Sequence, residues 1–270
     1  MVRVDILAEK GGEEVLGVDF YRLCGGTWIE DEGPGVRIKC YPPDPDRFLA
    51  LLGASDLPLS RISTIEEEEQ DYVALVRRHF TPVTVGGLTI LPPWHKPRKK
   101  GRTIFIEPGM AFGTGRHEST KLMITMMGER DLRAKKVLDI GSGSGILSVY
   151  AALLGASPVV AVDHDPLAAE ATQKACGLNH TPHILLACAG LEAIRTVFDV
   201  VLANLDFTTF EGSAAEIARM VGSGGYLLVS GIEAHYARRL PPLFRSLALV
   251  RSLRMADWRG YIFAKTPRPT

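Results

Sequence analysis

Residues 137–165 read VLDIGSGSGILSVYAALLGASPVVAVDHD, and the fold turns on them. Val137–Ile140 is a short strand-like run. Gly141, Gly143 and Gly145 follow at alternate positions, then a helix-like stretch, then a second strand that ends in Asp163. Strand, glycine loop, helix and strand make one βαβ unit. Glycines let the backbone approach a bound molecule closely. An acid 22 residues beyond Gly141, at the tip of the second strand, can accept hydrogen bonds from two ribose hydroxyls. A nucleoside-containing cofactor is therefore expected. A dinucleotide fingerprint would place a third glycine or alanine where this chain has Ile146, and no G-K-[S/T] follows as in a phosphate-binding P-loop. The competing structural reading is a tight turn, with Asp163 capping the helix that begins near Pro166.

Working outward, further apolar runs HILLACA (183–189), FDVVLANL (198–205) and GYLLVSG (225–231) alternate with helix-like stretches. Continuous apolar runs are the pattern of parallel strands covered on both faces. The chain closes with two strand-like runs around ADWRG (256–260), expected as an antiparallel hairpin at a sheet edge. Residues 81–270 thus predict a doubly wound, Rossmann-like α/β domain. Ahead of it, residues 1–60 alternate as β-α-β-β-α-β, the order of a ferredoxin-like α+β module. A linker helix is expected over 61–80, acidic at its start and basic at its end, which suits the helix dipole.

The 270 residues carry 31 bases and 31 acids, so the whole chain has no charge that would draw it to nucleic acid or a membrane surface. The balance is uneven. Residues 1–71 hold sixteen acids and seven bases, a balance of −9, and the remainder is +9. An acidic front end suits a basic partner. Cys24, Cys40, Cys176 and Cys188 show no C-x-x-C spacing, which points to reduced thiols rather than a zinc site or a disulfide framework. With no long apolar run or signal-like N-terminus, a cytoplasmic protein is expected.

The glycine pattern, with Asp139 in the preceding strand, resembles motif I of the class I methyltransferases, which bind S-adenosylmethionine. Asn204 ends FDVVLAN where such enzymes place their fourth motif. Enzymes methylating adenine or glutamine amide nitrogens often read N-P-P-Y there; here it is N-L-D-F, with Leu205 in place of the first proline. Residues 106–120, IEPGMAFGTGRHEST, settle the resemblance. Together with VLDIGSGSGIL and VLANL they are similar to the PrmA-type methyltransferases, which modify ribosomal protein L11.

The resemblance implies S-adenosylmethionine as cofactor, bordered by Phe112, Thr114 and Ser119 from the upstream loop. It implies Gly141 and Gly143 beneath the cofactor, Asp163 on its ribose, and Asn204 near its methionine end and the incoming amine. It also implies a ribosomal large-subunit protein as substrate, recognised by the N-terminal module, no metal, and a monomeric enzyme. Two departures stand out: Ser119 replaces a more usual threonine, and Asp206 sits where the family usually carries no charge. His117 is expected as a structural histidine. Rival readings are a methyltransferase of other lysines or of a small molecule, a nicotinamide-dependent oxidoreductase, disfavoured by Ile146, and a silent binding protein.

Overall fold

The computed structural model describes residues 2–9, 24, 27–33, 35–53, 59–66, 81–96, 101–107 and 115–267. The chain divides into two compact units, Met1–Leu75 and Val76–Thr270.

In the first unit, strands β1 (Val2–Glu9), β2 (Thr27–Glu32) and β3 (Gly35–Cys40) are followed by helix α1 (Pro45–Gly53) and strand β4 (Leu59–Glu66). The sheet is antiparallel throughout, in the order β2-β3-β1-β4. Alternate residues Val4, Ile6 and Ala8 of β1 and Val36, Ile38 and Cys40 of β3 pack with Phe48 and Leu52 of α1. Asp5 is also buried, its carboxylate held by Arg3 Nε at 2.6 Å and Arg37 Nη1 at 3.1 Å. The sulfurs of Cys24 and Cys40 lie 3.5 Å apart. Their mutual hydrogen bond and burial push the Cys40 thiol far up. The first helix of the expected β-α-β-β-α-β order, read from EEVLGVDFYRLC (13–24), lies, save for Cys24, outside the described residues.

One boundary needs correction. Residues 59–65 read as the last strand of the β-α-β-β-α-β order and form β4, which continues along β1 as far as the Val2–Glu66 pair, so the linker helix expected over 61–80 does not include 61–66. Ile62 and Ile65 are β-branched residues that favour this extended pairing. The rest of the expected linker lies outside the described residues.

The second unit opens with a small sheet of β5 (Val83–Val85), β6 (Leu88–Leu91) and β7 (Arg102–Phe105). Then come α2 (Glu118–Gly128), β8 (Val137–Ile140), α3 (Ile146–Leu153), β9 (Val159–Asp163), α4 (Pro166–Leu178), β10 (Ile184–Cys188), β11 (Phe198–Asn204), α5 (Phe207–Met220), β12 (Val221–Glu233), β13 (Ala248–Met255) and β14 (Trp258–Ala264). The large sheet runs β10-β9-β8-β11-β12-β14-β13, with β14 antiparallel to both its neighbours and the other pairs parallel. Successive residues of β11 feed opposite cores: Val200 and Leu202 pack with Met123 and Tyr150, Val201 and Ala203 with Phe210 and Phe244. The strand order reverses between β8 and β11, so the crevice above their C-terminal ends is the natural ligand site.

The apolar run of β10 differs from expectation. β10 is an edge strand, and Leu185 and Leu186 are 57% and 38% exposed rather than covered on both faces. Among the described residues, no helix is long and apolar enough to cross a membrane.

Candidate active site

The loop after β8 turns through three glycines, with φ of 68° at Gly141, 53° at Gly143 and 77° at Gly145. This left-handed region admits glycine without steric cost. Space also excludes a side chain at Gly145, where a Cβ would stand 2.9 Å from the Thr172 Cα of α4. The Thr172 hydroxyl donates to the Gly143 carbonyl at 3.0 Å and is bonded to Ser142 Oγ at 3.0 Å, which ties the loop down onto α4.

Asp163 ends β9, 9% exposed. Its Oδ2 accepts the Gly143 N–H at 3.0 Å and its Oδ1 the Asp165 N–H at 3.0 Å. A carboxylate has about four acceptor positions, so each oxygen keeps one for a ligand. The cap of α4 is Asp165, whose Oδ1 accepts the Leu167 N–H at 2.9 Å, so Asp163 is not needed in that role. Beneath the loop, Asp139 is wholly buried and takes a 2.6 Å bond from the Ser148 hydroxyl. Its Oδ1 has no hydrogen-bond partner among the described residues, and burial pushes its pKa up to about 6.

Asn204 ends β11, one strand across the reversal. Its Oδ1 is buried and has no hydrogen-bond partner among the described residues. Two residues on, Asp206 caps α5, accepting the Thr209 N–H at 2.9 Å and the Thr209 hydroxyl at 2.6 Å. Partial burial works against its ionisation, but these hydrogen bonds outweigh it and hold the carboxyl below its ordinary range.

His117 caps α2. Its Nδ1 accepts the Ser119 N–H at 3.3 Å and lies 2.7 Å from the buried Ser119 Oγ. The ring meets Trp258 edge-on, with centroids 4.4 Å apart. Among the described residues, no group of His, Cys, Asp and Glu is placed to hold a metal ion.

These residues face one cavity of about 670 Å³. Ser119, Gly141, Gly143, Asp163 and Asn204 all line it, and so do His117 and Asp206. Phe112 and Thr114 lie outside the described residues. Sequence reasoning missed Ala189, Gly190 and Leu191, which follow β10, and Trp258, which opens β14. The first group was within reach, since the end of every parallel strand in such a sheet faces the crevice. Trp258 was not, because its place depends on pairing with Glu233 of β12.

The lining fits an adenosyl sulfonium. Asp163 retains free acceptor positions, and Val162, Ala168 and Leu191 supply apolar wall. Asp163, Asp165 and Asp206 line the cavity, whereas no Lys or Arg does so among the described residues, which favours a cationic occupant.

Comparison with known proteins agrees with this geometry. Residues 35–265 match the family model described as "Ribosomal protein L11 methyltransferase (PrmA)". The chain is 34% identical over 224 residues to the ribosomal protein L11 methyltransferase of Deinococcus radiodurans, covering 80% of this chain and 79% of that one. It is 35% identical over 227 residues to the protein of the same name from Geobacter sulfurreducens, covering 81% and 75%. The crystal structure of ribosomal protein L11 methylase from Lactobacillus delbrueckii subsp. bulgaricus superposes with a TM-score of 0.65 at 25% identity, covering 69% of this chain and all of that one. A match over most of its length, on a class I methyltransferase fold, places the chain in the PrmA family of ribosomal protein L11 methyltransferases.

Proposed function

We propose that the chain methylates amino groups of ribosomal protein L11, on lysine side chains or the N-terminus, with S-adenosylmethionine as donor. Bound in the cavity, the donor supplies an electrophilic methyl on a sulfonium. Asp163 would hold its ribose and the Gly141–Gly145 loop would support it. The observation that carries the reading is a shared lining: Asp163, with acceptor positions to spare, and Asn204, whose buried Oδ1 has no hydrogen-bond partner among the described residues, border one cavity. An acceptor left unpaired in such a place costs about 1–3 kcal/mol unless a ligand donor satisfies it.

A lysine amine has an ordinary pKa near 10.4 and an α-amino group roughly 7.7–8.0, so a lysine target reaches the site mostly protonated. Desolvation in the cavity favours the neutral form. Asn204 Oδ1 would accept one N–H of that amine and so aim its lone pair along the methyl–sulfur axis. Positioning of this kind can supply about 7–11 kcal/mol of the barrier. After transfer, the surplus proton passes to water.

Residues 1–60 would serve as a ferredoxin-like recognition module. Support comes from the antiparallel order β2-β3-β1-β4 and from the −9 balance of residues 1–71, complementary to a basic ribosomal protein. Ribosomal substrate implies work in the cytoplasm. The direct test is labelled-methyl transfer to purified L11 with intact-mass analysis. Gains in steps of one methyl support the reading. Donor binding without transfer would overturn L11 as the substrate.

A further inference from the structure

The three cavity carboxylates are not used alike. Asp163 is engaged by two backbone N–H groups at the ribose end, and Asp165 caps α4. Asp206 lies beyond the end of β11, two residues past Asn204, exposed and lining the same cavity. The Thr209 N–H and hydroxyl bond its carboxylate, with further backbone hydrogen bonds from Asp206 and Thr208 at the start of α5, and the group stays exposed to an incoming donor. No Lys, Arg or His lies within ion-pair distance of it among the described residues. An exposed carboxylate lining this cavity is complementary to a primary ammonium.

We propose that Asp206 is the residue that selects a cationic acceptor, holding the target amine as its ammonium before the amine loses a proton to water and moves up to Asn204. The proposal rests on the methyltransferase reading above. It separates capture from attack for a physical reason. An adjacent carboxylate stabilises the protonated amine, which cannot act as a nucleophile, so Asp206 cannot also favour the attacking form. Its effect belongs in KM for the acceptor, and it falls with ionic strength because the group is exposed.

The N-cap role of Asp206 provides a clean variant. Asparagine caps a helix about as well as aspartate, so Asp206→Asn removes the charge and keeps the cap. Wild type and Asp206→Asn would be compared with L11 as acceptor at low and high salt, with the melting temperature and calorimetric affinity for S-adenosylhomocysteine recorded for both. The expected result at low salt is a KM for L11 raised roughly threefold to fivefold, the range of an exposed ion pair, with kcat unchanged. At high salt the two proteins should converge. An unchanged KM, a loss confined to kcat, or a KM increase that salt does not erase would each overturn the proposal while leaving the methyltransferase reading in place. A wild type that binds the donor but transfers to no amine would overturn both.

Discussion

The Asp163 carboxylate and the Gly143 amide are joined by a 3.0 Å hydrogen bond between the end of β9 and the loop after β8. The acid proposed to hold the cofactor ribose therefore also sets the conformation of the glycine loop. Ligand contact and loop geometry are one unit, and a change to either residue is felt by the other.

Asp163→Ala should consequently do more than delete a ribose contact. It frees the Gly143 and Asp165 N–H groups together. Each neutral-to-charged bond of this kind contributes about 1.5–3 kcal/mol. The expected outcome is a loss of at least tenfold in affinity for S-adenosylhomocysteine by calorimetry, with the fold retained by circular dichroism. Unchanged affinity would remove Asp163 from the cofactor site.

Gly145→Ala tests the loop from the other side. The new Cβ would stand 2.9 Å from Thr172 Cα, at a φ of 77° that an L-residue adopts only under strain. The obstacle is backbone, so the helices must separate. A destabilisation of about 1–3 kcal/mol in urea unfolding is expected, together with weaker donor binding.

Asn204→Leu should separate function from stability. The substitution removes a buried amide oxygen that has no hydrogen-bond partner among the described residues and replaces it with an apolar side chain at the end of a buried strand. Methyl transfer should fall by two orders of magnitude or more, whereas stability should hold or rise by about 1 kcal/mol. A large loss of stability with activity preserved would refute the role assigned to this residue.

How much of this was legible follows from where each signal resides. The βαβ unit of 137–165 announced itself because three glycines, a strand on each side and a terminal acid all lie within one short segment. Asn204 was legible from its place at the end of an apolar strand. The exposure of Leu185 and Leu186 was not, because an edge strand and a central one share the same apolar run, and only the strand order distinguishes them. Trp258 was hidden for a related reason: it reaches the cavity through antiparallel pairing of β14 with β12, a long-range contact with no local signature. The division of labour between Asp163 and Asp165 needed coordinates, since either acid could have capped a helix beginning at Pro166.

Asp139 makes stability depend on pH in a predictable sense. Burial raises its pKa from 3.8 to about 6, and the nearby Asp163 charge adds to the effect against the opposing bond from Ser148. The folded state thus holds the proton more tightly than the unfolded chain. The stabilisation is complete below the unfolded value near 3.8 and is lost as pH rises through the folded value near 6. A shift of about two units corresponds to about 3 kcal/mol. Asp139→Asn cannot ionise and should lack this contribution. Urea unfolding of both proteins across pH 4 to 7 should show wild type losing about 2 kcal/mol of this relative to the variant, with most of the change complete by pH 6. A stability difference that stays flat over this window would mean that Asp139 is already ionised in the folded protein, and would require a hydrogen-bond donor to its Oδ1.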